Sequence, residues 1–297
     1  MKILVTGANG FLGYYLCKQL LLQGYNVLAT GRGECRLPFT ASSSFSYFSM
    51  DLADIDQTRT VVSQLNFDFI FHAAAIGKPD DCELDKTRAT AVNAEGTGML
   101  LELIANTKTP VCYISTDFVF DGKEGNYAED GLVNPINHYG VTKAQAELLV
   151  RAYPGDWSIV RTVLVYGRPM TGRSNLLSIV QEKLTQGQTY SVVDDQIRTP
   201  TYVEDLVAGL LLLLEKRALG VYNLCGEEIL TPFEMAVKTA KYLGLNHELL
   251  IRTSSASLQQ LAQRPLVTGL KIDKAKEELG FMPRSFEQGL MDTFRPH

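Results

Sequence analysis

The chain has 297 residues, of which 45% are hydrophobic and 21% charged, and its net charge is −5. This composition excludes a disordered chain and a small stapled scaffold, and it allows one large core or a major domain with a smaller one. With 28 basic against 33 acidic side chains, no positive field that would hold nucleic acid is predicted.

Neither export nor a membrane span is predicted. The start, MKILVTGANG, is apolar only briefly before two glycines, unlike a signal peptide. The most apolar later run, 206–214, is shorter than the roughly 20 residues that cross a bilayer, so it predicts a buried helix. The 5 cysteines form no CxxC pair and no metal-ligand spacing, which indicates reduced, mostly buried thiols in a cytoplasmic protein.

Short apolar strands alternate with helical patterns through the first half of the chain. The predicted strands are KILVT, YNVLAT, FDFIFHAAA, VCYIST and WSIVRTVLVYG, and the predicted helices cover 11–24, 54–65, 86–106 and 139–152. This alternation predicts an α/β fold with a doubly wound parallel sheet between two layers of helices. The serine-rich run at 42–46 is predicted to be a loop.

The alternation weakens after Gly167. Predicted helices at 175–185, 203–216, 232–243 and 272–279 are separated by short strands. We therefore expect a large domain over 1–167 and a smaller substrate-binding lobe over 168–297, with 203–224 returning to the large domain. A substrate site between the two is the expected arrangement, because ligands of such sheets bind beyond the carboxyl ends of the strands.

The segment TGANGFLG places Gly7, Gly10 and Gly13 between the first strand and the first helix. Early glycines let the backbone turn tightly and approach a pyrophosphate, while the helix N-terminus offers N–H groups and a favourable dipole. The spacing is GxxGxxG, and glycines also serve ordinary tight turns. The flanking strand and helix nevertheless favour a Rossmann-type, NAD(P)-binding domain.

Cofactor choice depends on the residues after the second and third strands. Arg32 follows the second strand, where an NAD-selective enzyme often carries an acid. It can hold a 2′-phosphate, which favours NADP(H) with NAD(H) possible; a solvated loop arginine is the alternative. Asp51 is predicted to lie at the adenine edge or, alternatively, to belong to a helix N-cap around 51–54.

Tyr139 and Lys143 lie four residues apart in YGVTK, so a helix places both on one face. An ammonium beside a phenol stabilises the phenolate and brings its pKa, ordinarily near 10, closer to the working range. The spacing alone is common by chance. Thr116, which ends VCYIST, adds a hydroxyl that can hydrogen-bond a substrate oxygen while Tyr139 transfers the proton.

Together these pieces resemble the extended short-chain dehydrogenase/reductase family. The matching segments are TGANGFLG, DLAD, HAAA, NAEGT, STDFVF, YGVTK and RTVLVYG, in the order of the family. The resemblance implies a nicotinamide cofactor and a catalytic triad of Thr116, Tyr139 and Lys143. The residues argued above and the segments matched by the resemblance together imply cofactor binding by Gly7, Asn9, Gly10, Phe11, Leu12, Gly13, Arg32, Asp51, Leu52, Ala73, Ala74, Ala75, Asn93, Tyr139 and Lys143.

Within that family the chain most resembles the dTDP-4-dehydrorhamnose reductases. HAAAIGKPDDCE, STDFVFDG, NPINHYGVTKAQAE and RTPTYVEDL carry the likeness, although Leu164 stands where the reductase pattern usually has tryptophan. Such enzymes pass hydride from NAD(P)H to C4 of a 4-keto nucleotide sugar, with the proton coming from the tyrosine. The expected substrate-binding residues are Lys78, Asp80, Thr116, Asp117, Phe118 and Arg198.

Several alternatives stay open. Lys78, Asp80 and Arg198 can equally be surface charges, and Asp117 can be a structural turn residue. Related dehydratases carry Glu where this chain has Phe118, which argues against dehydration. An NAD-dependent epimerase and a non-catalytic NADP-binding regulatory subunit, similar to methionine adenosyltransferase beta, remain alternatives. The resemblance implies a homodimer; the 4 histidines have no ligand spacing, so structural roles and no metal are expected.

Overall fold

The computed structural model describes residues 1–171, 174–258 and 260–295. Its strands are β1 (Lys2–Thr6), β2 (Asn26–Gly31), β3 (Phe45–Ser49), β4 (Phe69–His72), β5 (Val111–Thr116), β6 (Trp157–Thr162), β7 (Val165–Tyr166), β8 (Tyr190–Val193), β9 (Thr201–Tyr202), β10 (Gly220–Asn223) and β11 (Leu250–Thr253). Its α-helices are α1 (Phe11–Leu22), α2 (Ile55–Ser63), α3 (Pro79–Leu84), α4 (Lys86–Thr90), α5 (Gly96–Ile104), α6 (His138–Arg151), α7 (Leu176–Thr185), α8 (Val203–Lys216), α9 (Pro232–Tyr242) and α10 (Phe286–Phe294).

The main sheet of the described chain has 7 strands in the order β3-β2-β1-β4-β5-β6-β10, and every neighbouring pair is parallel. The central strands β4 and β5 are buried along their whole length, whereas the edge strand β3 is mostly exposed or half-buried. This confirms the predicted doubly wound Rossmann-type sheet. The strand order reverses between β1 and β4, which opens a crevice beyond their carboxyl ends.

A second, smaller core lies outside the main sheet. It is formed by Val180, Leu184, Val192, Ala236, Ala240 and Leu250 from α7, β8, α9 and β11. The intervening α8 packs against α1, and β10 pairs with β6 in the main sheet. The exact division at residue 167 stays a prediction.

Several local predictions differ from the structure: the predicted strand WSIVRTVLVYG, for example, is divided into β6 and β7, which lie in different sheets. The loop expected at 42–46 is wrong at its end, because Phe45 is buried and starts β3 in register with Val27. The helix expected over 86–106 ends at Ile104 and is interrupted by a π-turn, Ala91–Glu95, between α4 and α5. Such single π-helical turns inside an α-helix are frequent at functional sites. The spacing of apolar residues does not predict them.

Within the described ranges, no helix has both the length and the apolar character that a bilayer span requires. The run 206–214 lies in α8, whose inner face is buried in the main core. Four cysteine side chains, Cys17, Cys82, Cys112 and Cys225, are buried, and Cys35 is half-buried. Burial raises the pKa of the Cys112 and Cys225 thiols to about 12.

Candidate active site

The turn between β1 and α1 is too tight for side chains at its glycines. Gly7 has a φ of +71°, and a Cβ there would lie 2.8 Å from the Cα of Ala74. A Cβ at Gly13 would lie 2.4 Å from the Gly7 carbonyl oxygen. Gly10 is the N-cap residue just before α1 and has no side chain to cap the helix, so first-turn N–H groups are available to an anion. The turn therefore fits the pyrophosphate of a dinucleotide.

Beside this turn, Asn9 fastens the loop that follows β2. Its Nδ2 donates to the carbonyl oxygen of Glu34 at 2.9 Å and to the Tyr47 hydroxyl at 2.7 Å, and its Oδ1 accepts from the Arg36 N–H at 2.9 Å. The structure thus gives the Asn9 side chain a loop-binding role. The side chains of Arg32 and Arg36 are exposed on this loop. The sequence analysis missed Arg36, although it is the second arginine of GRGECR.

Asp51 follows β3 and is tied to the helix that precedes the π-turn. Its carboxylate accepts from Arg88 Nη2 at 2.7 Å and from the Ala53 N–H at 3.1 Å. The helix cap falls at Asp54, whose carboxylate accepts from the Gln57 N–H at 2.9 Å. Leu52 is buried against Gly96, where a Cβ would come within 2.7 Å of the leucine Cβ.

The carboxyl end of β4 is held by a buried histidine. His72 Nδ1 lies 2.6 Å from the Thr6 hydroxyl, and Nε2 lies 2.9 Å from the Thr97 hydroxyl. Burial, with a smaller contribution from the Lys143 charge, lowers the pKa of His72 to about 3. His72 is therefore a neutral side chain that is hydrogen-bonded to Thr6 and Thr97. This agrees with the structural role predicted for the histidines. Ala73, Ala74 and Ala75 follow it at the mouth of the crevice.

Asn93 lies in the π-turn and connects this region to α6. Its Oδ1 accepts from the Ile76 N–H at 2.7 Å, and its Nδ2 donates to the Thr142 hydroxyl at 3.0 Å. Thr142 in turn donates to the Tyr139 carbonyl oxygen at 2.8 Å. The π-helical turn thus places an amide between the segment that follows β4 and α6, the helix that carries the predicted Tyr139 and Lys143.

Lys143 is buried on the inner face of α6. Its Nζ donates to the Ile114 carbonyl oxygen at 2.8 Å and lies 4.1 Å from the centre of the Tyr113 ring. Burial lowers the pKa of Lys143 to about 7, although the Glu147 carboxylate one turn away opposes the shift. The ammonium is held under the strand that ends in Thr116.

Tyr139 and Thr116 lie on the two elements that Lys143 joins. Tyr139 is half-buried in the first turn of α6, and its ring packs edge-on against Phe118 with centroids 5.7 Å apart. Thr116 ends β5 in register with Thr162. Its Oγ1 donates to Asp117 Oδ1 at 3.1 Å and accepts from the Phe118 N–H at 3.2 Å. Because α6 packs on β5, the predicted triad is gathered at one edge of the sheet.

A buried ion pair fixes α6 beneath this triad. Arg161 on β6 is fully buried, and its Nη2 and Nε contact the two oxygens of Glu147 at 2.7 and 3.0 Å. The Ser115 hydroxyl donates to the same carboxylate at 2.5 Å. The Phe120 ring centre lies 5.0 Å from the guanidinium. The pair joins α6 to β5 and β6, and the sequence analysis did not single it out.

Of the remaining predicted substrate residues, one has an exposed side chain and two have side chains that are bound by other parts of the protein. Lys78 is exposed. Asp80 is bound by Arg264 and the Ala262 N–H of the small lobe. Arg198 is only 3% exposed, so the surface-charge alternative is wrong for it. Its guanidinium donates to several main-chain carbonyl oxygens.

Residues 1–296 match the protein family described as the RmlD substrate binding domain. Spore coat polysaccharide biosynthesis protein SpsK of Bacillus subtilis is 31% identical over 294 residues, covering 98% of this chain and 96% of the relative. dTDP-4-dehydrorhamnose reductase of Mycolicibacterium smegmatis is 30% identical over 296 residues, covering 98% and 84%. Methionine adenosyltransferase 2 subunit beta of Danio rerio is 28% identical over 305 residues, covering 99% and 90%.

Two solved structures share the architecture. dTDP-4-dehydrorhamnose reductase (rfbD) from Bacillus anthracis in complex with NADP has a TM-score of 0.85 and 28% identity, covering 99% of this chain and 98% of that one. DesIV, a dTDP-glucose 4,6-dehydratase from Streptomyces venezuelae with NAD bound, has a TM-score of 0.88 and 26% identity, covering 99% and 96%. The likeness therefore extends over the small lobe as well as the main sheet.

Proposed function

The chain belongs to the RmlD substrate binding domain family, and on that premise we propose that it reduces the 4-keto group of a nucleotide sugar with NADPH. Family membership confirms the resemblance to the extended short-chain dehydrogenase/reductases, which are NAD(P)-dependent oxidoreductases. The observation that carries the proposal is the buried Lys143 Nζ, 2.8 Å from the Ile114 carbonyl oxygen, on the helix that bears Tyr139 and beneath the strand that ends in Thr116.

The residues of this site suit the proton half of a carbonyl reduction. NADPH, when bound, supplies the hydride that adds to C4 of the sugar. The phenol of Tyr139 gives its proton to the former carbonyl oxygen, so the product is an alcohol. The Thr116 hydroxyl hydrogen-bonds the same oxygen as negative charge develops on it. The Lys143 ammonium stabilises the tyrosine phenolate until a proton returns from solvent.

We further propose that the cofactor is preferentially NADP(H). No acidic residue follows β2 directly; Arg32 does, and the loop presents Arg36 beside it, both with exposed side chains. Guanidinium groups bind a phosphate through charge-assisted, often bidentate hydrogen bonds. The relative from Bacillus anthracis was solved with NADP, which supports the same choice, and the dehydratase with NAD marks the alternative.

We also propose a cytoplasmic homodimer, as the family resemblance implies. Leu148 and Leu149 on the outer face of α6 are 67% and 40% exposed, which suits burial against a second copy. Light scattering of the protein and of Leu148→Glu tests this: a dimer that becomes a monomer supports the proposal, and a monomeric wild type contradicts it.

The direct test mixes the protein with dTDP-4-dehydrorhamnose and follows absorbance at 340 nm with NADPH and then NADH. Steady oxidation of the reduced cofactor supports the reductase, and the ratio of the two rates measures cofactor choice. Conversion of a nucleotide sugar without net oxidation would instead support the epimerase.

A regulatory subunit is the second candidate, because the Danio rerio relative carries that name over nearly the whole chain. This candidate predicts cofactor binding without oxidation of NADPH by any keto-sugar nucleotide. It also predicts that binding to a partner enzyme is indifferent to Tyr139→Phe.

A further inference from the structure

One segment of the small lobe, residues 262–268, crosses to the large domain and contacts both catalytic segments; we call it the strap. Its first part binds α3. Arg264 Nη1 and Nη2 donate to the two oxygens of Asp80 at 2.8 and 2.9 Å, and the Ala262 N–H donates to the same carboxylate at 3.0 Å. This two-point contact fastens the strap at the mouth of the crevice.

Between these two residues of the strap, Gln263 reaches the start of α6, the helix that carries Tyr139. Asn137 caps α6 through its Oδ1, which accepts from the Gly140 N–H at 2.8 Å, and its Nδ2 donates to the Gln263 carbonyl oxygen at 2.8 Å. Tyr139 follows two residues later. The strap therefore touches the segment that carries the predicted proton donor.

The end of the strap meets the turn that carries Thr116. The Thr268 hydroxyl donates to Asp117 Oδ2, while the Thr116 hydroxyl donates to Asp117 Oδ1 at 3.1 Å. Asp117 is 2% exposed and Thr268 is fully buried. The Asp117 carboxylate is thus fixed on one side by the small lobe and on the other side by the catalytic threonine.

Arg198 contacts both the strap and the Asp117 carboxylate. Its Nη2 donates to the Pro265 carbonyl oxygen at 2.7 Å and its Nη1 to that of Leu266 at 3.0 Å, while its Nε lies 3.9 Å from Asp117 Oδ2. Burial raises the pKa of Asp117, and the Arg198 charge and the Thr268 hydroxyl oppose that shift. Arg198 therefore serves the strap and Asp117 within the protein.

We propose that Thr268 and Asp117 are positioning residues: Thr268 orients the Asp117 carboxylate, which holds the hydroxyl oxygen of Thr116 where it meets the substrate. The inference rests on the proposed reductase function for the role of Thr116. Before substrate binds, the hydrogen bond from Thr116 to Asp117 fixes the side-chain rotamer of Thr116. When a substrate oxygen arrives, rotation about the Cβ–Oγ1 bond turns the threonine hydrogen from Asp117 to the substrate, while the Phe118 N–H still donates to Oγ1. Thr268 and Arg198 then keep the buried carboxylate satisfied, so the hydrogen is released at little cost.

The test compares Thr268→Val, which removes the hydroxyl at nearly constant volume, with Thr268→Ser, which keeps it. Thr239→Val is the matched control, since its buried hydroxyl donates only within α9, to the Met235 carbonyl oxygen. Thr268→Val is expected to lower kcat roughly tenfold with little change in the KM for NADPH, because the Asp117 carboxylate that orients Thr116 loses the hydrogen bond from Thr268. Thr268→Ser is expected to restore most of the rate, and Thr239→Val to keep it.

A double variant of Thr268→Val with Asp117→Asn is expected to lose no more rate than the worse single variant, because both residues act through one contact. Additive losses, a valine variant as active as the Thr239 control, or a serine variant that stays slow would each overturn the proposal. If the wild type oxidises no NADPH, the reductase function fails, and crystal structures then decide the positioning. Loss of the Thr116–Asp117 hydrogen bond in Thr268→Val supports it, and unchanged side chains overturn it.

Discussion

The two ends of the cleft satisfy their charged side chains in opposite ways. At the end that carries the predicted catalytic residues, Lys143, Glu147 and Arg161 are buried; Lys143 bonds β5, and Glu147 of α6 pairs with Arg161 of β6. At the other end, where the adenosine of the cofactor is proposed to bind (the adenosine end), the guanidinium groups of Arg32 and Arg36 are exposed, and Asn9 holds mainly the backbone of their loop. Substitutions at the first end should alter stability and turnover, whereas those at the second should alter cofactor choice alone.

Breaking the buried pair is the strongest challenge to this comparison. Arg161→Met leaves the Glu147 carboxylate buried without its cation, so the free energy of unfolding should fall by about 3–5 kcal/mol, as measured by urea denaturation. Adding Glu147→Gln should recover part of the loss. Arg59→Met, in an exposed pair with Asp56, is the control and should change stability by less than about 1 kcal/mol. Equal losses at both sites would contradict the comparison.

Removing the proposed proton donor should strongly lower turnover and leave cofactor binding nearly unchanged. Tyr139→Phe is expected to lower kcat roughly a hundredfold or more with little loss of NADPH affinity, because only a general acid is removed. Tyr242→Phe on α9, whose ring packs near Phe294, is the matched control and should keep the wild-type rate. A Tyr139→Phe variant that turns over at the wild-type rate would refute the assignment.

The protein should become less stable at acidic pH, because His72 is buried in its neutral form. Burial lowers its pKa to about 3, while an unfolded histidine has a pKa of about 6.5. Between these values the unfolded chain binds the extra proton, so the stabilisation is complete above about pH 6.5 and is lost as pH falls toward 3. His72→Gln should therefore flatten the decline of Tm in this window. His247→Gln, at an exposed position, should leave the decline unchanged; an identical decline in His72→Gln would contradict the interpretation.

The smallest effects are expected at the adenosine end. Arg32→Ala and Arg36→Ala should each weaken NADPH binding roughly tenfold more than NADH binding, because each removes a charge-assisted hydrogen bond to the 2′-phosphate. Fluorescence titration of the two reduced cofactors measures this difference. Thermal stability should be unchanged. Equal losses of affinity for both cofactors would contradict this prediction and indicate that the two arginines are solvated loop residues.

The sequence predicted the features that depend on neighbours along the chain. The alternation of apolar strands and helices predicted the sheet, and the glycines of TGANGFLG predicted its tight first turn, whose Gly7 has a positive φ. β3 was partly taken for a loop because Ser42, Ser43 and Ser44 precede Phe45, and serines in a row are typical of loops. The residues themselves gave no signal for the burial of Phe45 beneath the loop that follows β2.

The features that the sequence did not predict depend on contacts between distant segments. Asp80 meets Arg264 184 residues later, and the buried Arg198 donates to carbonyl oxygens of the strap, at Pro265 and Leu266. A charged side chain in a loop is predicted to be solvated unless its partner in the fold is known. Arg36 was missed for a related reason, since its place beside Arg32 follows from the hydrogen bonds of Asn9.

The distribution of the thiols should allow a fluorescent dye to be attached to the protein at a single cysteine. Four sulfurs are sealed inside the cores, whereas Cys35 lies half-buried between the two arginines of the adenosine loop. A maleimide dye added to the native protein should therefore attach at this one position without any engineered substitution. The attached dye would change its emission when a dinucleotide enters, which would provide a real-time reporter of cofactor arrival that is independent of turnover.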